Sequence, residues 1–435
     1  MHLTFGDLFC GAGGLSLGAR QASFMSDAAG KLAPAWAIDS DPDACATYRL
    51  NIHDNSPVAD VRCADVRGVA APSLAPVDIL LFGFPCNDFS AVGKRRGMRG
   101  QYAPLYLEAV RILRTLRPMA FVAENVAGLT SSHEGRCLHQ AVHDFRQSGY
   151  RVCAHQYRLE EYGLPQARRR IFLVGIRKDL RRDFRPPAPF TDPPVTVREA
   201  LSRPYAVFLW NAEPPTVSET VAERLSHIRP GENIWRAQRR PDFPDHLRLK
   251  ESACRIQSIY RRLDPDRPAW TVTARGGGGT RTYHWSENRP LTNRELARLQ
   301  GFPDDFRFIG GIQSVRSQIG MAVPPPAGRV IIDALLKTLA GVAYETVEPN
   351  LLLPERAPII GRPRRLEAKS TAERTKAHRQ RRTEEHRAVI KAVERAVRAG
   401  LANHLPPEDR RLLQRYLKRT TGETPDVAPL PLAAE

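Results

Sequence analysis

The chain has no Cys-x-x-Cys pair and no apolar run near the roughly 18 residues that a membrane span needs. It also has too few acids to balance its bases. Each shortage excludes something. The seven cysteines are an odd number and lie scattered. That argues against a disulfide framework or a zinc site and fits a reducing compartment. No bound metal is expected. Without an apolar run, no membrane helix is expected either. Met1-His2-Leu3-Thr4-Phe5 runs straight into a strand-like segment, so no signal peptide is expected. The 47 Asp and Glu against 65 Lys and Arg leave a formal charge of +18. Such charge points to a polyanionic partner, nucleic acid first, with a ribosome or membrane surface as the competing use. At 435 residues, two or three domains are expected.

What is present is organised around Val77 to Gly93, VDILLFGFPCNDFSAVG. Val77, Ile79, Leu80, Leu81 and Phe82 have the length and branching of a buried strand. The run breaks at Gly83-Phe84-Pro85, and Cys86 follows. Pro85 fixes its own φ and keeps Phe84 extended. A thiol is thereby placed on a restrained loop at the carboxyl edge of a sheet, where open α/β sheets bind ligands. A lone Cys is more often a small buried hydrophobe. Here the polar Asn87-Asp88-Phe89-Ser90 and the basic, glycine-rich Gly93 to Gly100 follow it, which suits a reactive loop closing over a polyanion. The same run also reads as a solvated surface loop.

Leu3 to Cys10 reads as a first strand, and Gly11-Ala12-Gly13-Gly14 leads into a helix. Strand, glycine turn and helix open a nucleotide-type site, in which backbone N–H groups approach the ligand. Ala35 to Ile38 is a second strand, ending at Asp39, where a carboxylate suits a ribose diol. The gap is longer than the usual spacing of about 20 residues, so Gln21 to Pro34 is expected to hold an extra loop. Asp65 follows Cys63-Ala64 and suits an adenine amino group. Leu105 to Leu116 has helical apolar spacing, and Met119 to Ala123 reads as a strand that ends at Glu124. Glu124 is read as a carboxylate near the thiol, able to hold or give a proton. As strand-end acids in solvent, all three would be unremarkable.

His139 to Gly149 reads as a helix, and Arg151–Ala154 and Ile171–Gly175 as strands. Between those strands, Arg168 and Arg170 alternate onto one face if the chain is extended, which suits carbonyl or phosphate oxygens. From about Arg181 to Asp266 the chain is rich in Pro, Arg and aromatics without a clean period, as in a loop-rich domain that touches nucleic acid. Arg267 to Thr273 is strand-like. Leu291 to Phe302 reads as a helix with Thr292 and Glu295 as a capping box. Gln318 to Pro325 leads into a final helix. Residues 361–420 carry 18 Lys and Arg against 7 Asp and Glu, a net +11 in one tail. Long basic helices are usually solvated faces, but charge so concentrated also suits DNA.

Taken together these residues resemble the DNA (cytosine-5) methyltransferase family, of the bacterial restriction-modification or orphan type. Asp7-Leu8-Phe9-Cys10-Gly11-Ala12-Gly13-Gly14 resembles its cofactor loop. Pro85-Cys86 with Phe89-Ser90 resembles its catalytic loop, and Glu124-Asn125-Val126 its catalytic acid motif. Gln166, Arg168 and Arg170 resemble its Gln-x-Arg-x-Arg motif. Arg267-Pro268 with Thr271-Val272 resembles the motif that braces the recognition domain. Leu296 to Pro303 and Gly320 to Pro325 complete an ordered set covering about 3–180 and 263–340. Three positions depart from the pattern. Asn87 stands where the family usually has Gln, Asp39 where it often has Glu, and Met321 where it usually has Asn.

The resemblance implies a Rossmann-like α/β mixed sheet with helices on both faces, the class I methyltransferase fold. It implies a catalytic domain at 1–180, a small irregular target-recognition domain at 181–290 and a return to the catalytic domain at 291–345. The resemblance does not extend past about 350, and the basic helical extension at 355–435 is read from its own charge and capping signals. It implies S-adenosyl-L-methionine as cofactor, with Phe9, Gly11, Ala12, Gly13, Gly14, Asp39, Asp65, Val66, Leu105 and Val323 around it. Cys86, Glu124, Arg168 and Arg170 are the implied catalytic residues. Cys86 would add to carbon 6 of a flipped-out cytosine in duplex DNA. A cytoplasmic, nucleoid-associated monomer is expected, with a cognate restriction endonuclease as a candidate partner. The rival readings are a tRNA cytosine-5 methyltransferase and a catalytically silent DNA-binding regulator on the same fold. A nicotinamide dehydrogenase would leave Cys86 and the arginine pair unused.

Overall fold

Short apolar runs become strands, and their order sets the architecture. The computed structural model describes residues 3–22, 32–53, 60–84, 105–130, 136–204, 210–250, 256, 258–274, 280–351 and 353. The strands are β1 (Leu3–Leu8), β2 (Leu32–Asp39), β3 (Asp60–Cys63), β4 (Ile79–Gly83), β5 (Ala120–Val126), β6 (Tyr150–Arg158), β7 (Gln166–Ala167), β8 (Arg169–Arg177) and β9 (Ala269–Trp270). Seven form one sheet in the order β3-β2-β1-β4-β5-β8-β6, and β7 pairs with β9 in a separate ribbon. The first five are parallel to their neighbours, and β8 runs antiparallel to both β5 and β6. The mixed α/β sheet is the one expected.

Helices cover both faces. They are α1 (Gly14–Gln21), α2 (Pro42–Ile52), α3 (Leu105–Leu116), α4 (Arg136–Gln147), α5 (Val197–Leu201), α6 (Glu219–Ser226), α7 (Ile234–Ala237), α8 (Asn293–Leu299), α9 (Ile312–Met321) and α10 (Pro325–Ala340). The pleat explains why β4 is apolar throughout. Leu80 and Phe82 enter the core under α3 and α4, while Ile79 and Leu81 enter the core under α1 and α10. Both faces are buried, so no position can be polar.

The middle of the chain divides among three cores. Phe184 joins the core under α10, and Val197, Ala200 and Leu201 pack with α2 and α8. A small separate core holds Leu225, Ile228, Ile234, Phe243, Leu247 and Tyr283. At its centre the buried Arg262 guanidinium donates to the carbonyls of His284, Leu225, Ile228 and Glu287 and to Asn288 Oδ1. One cation satisfies loop carbonyls that a sheet would otherwise pair. That is how so irregular a segment stays folded.

Several boundaries differ from the sequence expectation. β5 continues through Val126, so Glu124 lies inside the strand and not beyond it. Only Ala269–Trp270 of the segment from Arg267 to Thr273 is a strand. Gln318 to Met321 is the end of α9, a helix whose short mixed pattern hid it. The stretch Ile312–Ala340 is long and apolar enough for a membrane span by composition, but it is two helices broken at Ala322 to Pro324 and is 72% buried in the protein. The chain divides near Ile360, and the basic helices expected beyond it lie outside the described residues.

α1 and α10 touch through glycine. A Cβ on Gly18 would stand 2.6 Å from both the Pro325 carbonyl oxygen and the Arg329 nitrogen. Backbone cannot yield there as a side-chain tip can. Gly18→Ala is therefore expected to cost about 1–3 kcal/mol despite better helix propensity, read as a lower urea midpoint with an unchanged m-value.

Candidate active site

The carboxyl edge of the parallel strands collects most of the expected residues. β1 ends at Leu8, and the chain turns at Phe9 (φ 56°) and Gly11 (φ 52°), with Gly13 at φ 91°. Gly11 N–H donates to Asp39 Oδ2 at 2.8 Å, and Asp41 N–H donates to Oδ1 at 2.9 Å. The acid at the end of β2 thus holds the glycine turn. Burial raises the Asp39 carboxyl above its ordinary value, while the N–H groups of Asp41 and Gly11 pull it back. A Cβ on Gly11 would meet nothing within 4 Å, so this side of the turn is open. A Cβ on Gly14 would stand 2.2 Å from the Val323 carbonyl oxygen, so the other side is closed by Val323. Ala12 is buried. Phe9 packs on the core that contains Val66 and Leu105.

Asp65 behaves otherwise. Its carboxylate is exposed, accepts from the Arg67 N–H at 3.0 Å and pairs with the Arg67 guanidinium at 2.5 Å. That hydrogen bond holds its carboxyl down at about 2. It caps the turn at Val66–Gly68, so a ligand amino group would have to compete with Arg67.

Glu124 and Arg170 meet directly. Because β8 runs backwards, its first residues lie beside the last residues of β5, and Arg170 stands opposite Val126. Its guanidinium lies 2.8 Å from Glu124 Oε1, with both side chains nearly buried at 13% and 12% exposure. Burial raises the Glu124 carboxyl, opposed first by the charge of Arg170 and then by that of Arg168. Glu124 is also in register with Gly83, the last residue of β4. Next to it, buried Asn125 donates from Nδ2 to the Phe84 carbonyl at 3.2 Å. Phe84 is therefore pinned two residues before Cys86. Pro85, Cys86, Asn87, Phe89, Ser90 and the glycine-rich basic run lie outside the described residues.

Arg168 and Arg170 both turn inward, as alternation requires, but to different partners. Arg168 is 1% exposed and donates to Gln166 Oε1 and to the carbonyls of Val272, Gly320 and Ala322. Gln166 adds bonds to Leu299, Gln300 and Val272. Together these groups tie β7, β9 and the ends of α8 and α9. Arg168 is thus a brace, not a substrate-facing partner to Arg170. The strand break between β7 and β8, invisible in the alternation, separates them. Met321 is 73% exposed and accepts only from the Ser317 hydroxyl at 3.5 Å.

One group escaped the sequence reading. Asp7, the next-to-last residue of the buried strand β1, is 1% exposed and accepts from Ser16 Oγ at 2.6 Å. Burial, with the charge of Asp39 adding, pushes its carboxyl up to about 8 against the Ser16 hydrogen bond. The signal was an acid inside an otherwise apolar run.

A family model described as C-5 cytosine-specific DNA methylase matches residues 3–337. Type II methyltransferase M.BbvI of Brevibacillus brevis is 46% identical over 358 residues, covering 80% of this chain and 94% of that protein. Type II methyltransferase M.NgoFVII of Neisseria gonorrhoeae is 36% identical, covering 81% of this chain and 91% of its own. Among solved structures, a prophage-encoded DNA modification methyltransferase (E. coli) aligns with a TM-score of 0.60 at 24% identity, over 78% of this chain and 99% of that one. That likeness concerns the fold.

An acid whose folded pKa exceeds its unfolded one binds more protons in the native state between the two. Asp7, at 3.8 ordinarily and about 8 here, therefore makes stability fall as pH rises across that window. Asp7→Asn should flatten the slope, which approaches ~1.4 kcal/mol per pH unit for one group. Urea melts from acidic to mildly alkaline pH measure it. A wild-type stability that is flat over the window contradicts the assignment.

Proposed function

The chain belongs to the C-5 cytosine-specific DNA methylase family, and from that premise we propose that Cys86 is its nucleophile, Glu124 its proton donor and Arg170 the group that positions both acid and base. The protein is a DNA cytosine-5 methyltransferase similar to type II modification enzymes, and it uses a methyl donor. The observation that carries the assignment of roles is the register pair Gly83 and Glu124 with Arg170 on the carboxylate. Cys86 lies three positions after Gly83, at most about 11 Å of extended chain.

Cytosine carbon 5 is a weak nucleophile until something adds at carbon 6. Cys86 as thiolate forms that bond, and the electrons move toward N3 and the carbonyl oxygen. Burial raises the Glu124 carboxyl, which favours its holding the proton that the ring takes at N3. Arg170 fixes the carboxyl and offers its remaining N–H groups to the 2-keto oxygen. Carbon 5 would then take the methyl group that the bound donor supplies. Release of its proton to water, return of the N3 proton to Glu124 and departure of the Cys86 thiolate would restore the ring. The atom attacked is inaccessible inside a duplex, so the cytosine must be extruded.

The residues around the glycine turn fit S-adenosyl-L-methionine. Asp39 would take the ribose diol, Phe9, Val66 and Leu105 would wall the adenine, and the open side of Gly11 with Gly13 and Gly14 would meet the methionine part. When bound, this donor supplies an electrophilic methyl group. Asp65 would reach the adenine only by releasing Arg67. Arg168 acts through the brace, holding the segment from Ala269 to Val272.

The small arginine-centred core within 181–290 is the proposed target-recognition element, and the 355–435 tail an added phosphate contact. A cognate endonuclease, a monomeric state and a cytoplasmic setting complete the proposal.

Cys86→Ala is expected to abolish transfer of labelled methyl groups to duplex DNA, and full transfer would overturn the assignment. Glu124→Gln should lower kcat about 100-fold or more while cofactor binding persists. Truncation near residue 354 should weaken DNA binding and flatten its salt dependence with site choice unchanged; an unchanged salt slope would show the tail contacts no phosphate.

A further inference from the structure

Beneath the glycine turn lies a hydrogen-bonded chain of side chains that the chemistry above does not use. Asp7, Ser16 and Tyr48 are each 0–1% exposed. Ser16 Oγ donates to Asp7 Oδ2 at 2.6 Å and lies 2.7 Å from the Tyr48 hydroxyl. Ser16 donates to Asp7, and at the Ser16–Tyr48 contact either hydroxyl could supply the proton.

The placement of the three groups matters more than their number. Asp7 is on β1, two residues before the turn begins at Phe9. Ser16 is in the first turn of α1, just after it. Their bond therefore closes the turn from strand to helix. Tyr48 comes from α2, whose N-cap Asp41 donates its own N–H to Asp39. The Tyr48 ring also lies under the turn: a Cβ on Gly13 would stand 2.9 Å from Tyr48 Cδ2. The turn is thus held from two sides. Asp39 holds Gly11 from the open side, and the Tyr48 chain holds the strand and helix ends from the buried side.

We infer that Tyr48, acting through Ser16 and Asp7, is a positioning residue for the methyl donor: its hydroxyl fixes the glycine turn and the Asp39 strand end relative to each other. The inference rests on the reading that this turn binds S-adenosyl-L-methionine. Tyr48 is fully buried beneath the turn, so loss of its hydroxyl alters donor affinity and not the chemistry at cytosine. The groups that bear on the chain electrostatically are Asp39, Cys10 and Arg20. All three remain in Tyr48→Phe.

The test is equilibrium binding of labelled S-adenosyl-L-methionine to the full chain, beside steady-state methyl transfer. Tyr48→Phe should raise the Kd and KM for the donor about three- to ten-fold, the scale of one buried hydrogen bond, with kcat changed less than KM. Asp7→Ala should raise them similarly, and the double variant should fall short of the product of the two effects because both break one chain. An unchanged Kd with a lowered Tm would overturn the inference, leaving the hydroxyl a stabilising group only. So would a fall in kcat at constant KM. If Tyr48→Phe does not fold, Ser16→Ala breaks the same chain with the ring in place and is judged by the same readouts. Asp39→Ala separates the two layers. If the wild type binds donor and Asp39→Ala does not, the reading of the turn stands, and a wild-type Kd in Tyr48→Phe then defeats this inference alone. Undiminished binding by Asp39→Ala defeats the reading beneath it.

Discussion

A nearly buried carboxylate paired with a nearly buried guanidinium, Glu124 with Arg170, is the interaction on which the rest of the site depends. Taking both charges out of water is costly, and the pair persists because the sheet fixes its geometry. The cause is one reversed strand. β8 enters the sheet antiparallel, so its first residues lie where β5 ends, and an arginine at its start meets an acid near that end. A parallel β8 would carry Arg170 to the opposite edge. The same competition between burial and counter-charge leaves Glu124 raised but not isolated, which suits a group that lends a proton and takes it back.

The other functional groups follow from that edge. β4 lies beside β5, so Gly83 faces Glu124 and the Asn125 amide holds Phe84. β1 and β2 come next, and their ends carry the glycine turn and Asp39. Immediately before Arg170, Gln166 and Arg168 turn their side chains into a buried network that reaches Val272, Gln300, Gly320 and Ala322. One short stretch therefore braces the segment after β9 and the end of α9 and supplies the cation at Glu124.

Much of this was legible in the sequence because buried parallel strands write themselves as apolar runs. β4 and α3 lie close to where their patterns place them, β5 runs on to Val126, and the Thr292 and Glu295 capping box is present. The glycine turn and Asp39 were legible because backbone approach and a strand-end acid both leave residue-type signatures. Three things were not. The partners of Arg168 are carbonyls from two distant segments, at Val272 and at Gly320 to Ala322, which no local pattern encodes. The hold of Arg67 on Asp65 is two residues away, yet nothing in the sequence says which of two partners a surface acid prefers. Asp7 was read as part of a motif and not as a buried acid, because its meaning lies in Ser16 and Tyr48, which only folding brings beside it.

The central claim is that the sheet edge built around Glu124 and Arg170 serves a covalent bond between Cys86 and the cytosine ring. Duplex DNA carrying 5-fluorocytosine at the target position tests it most directly, because fluorine cannot leave as a proton does and the adduct is trapped. Mass spectrometry of the digested complex should place the modified base on the peptide containing Cys86, and only when donor is present. Methylation of ordinary DNA with no adduct on the fluorinated duplex, or an adduct on a different residue, would contradict the account.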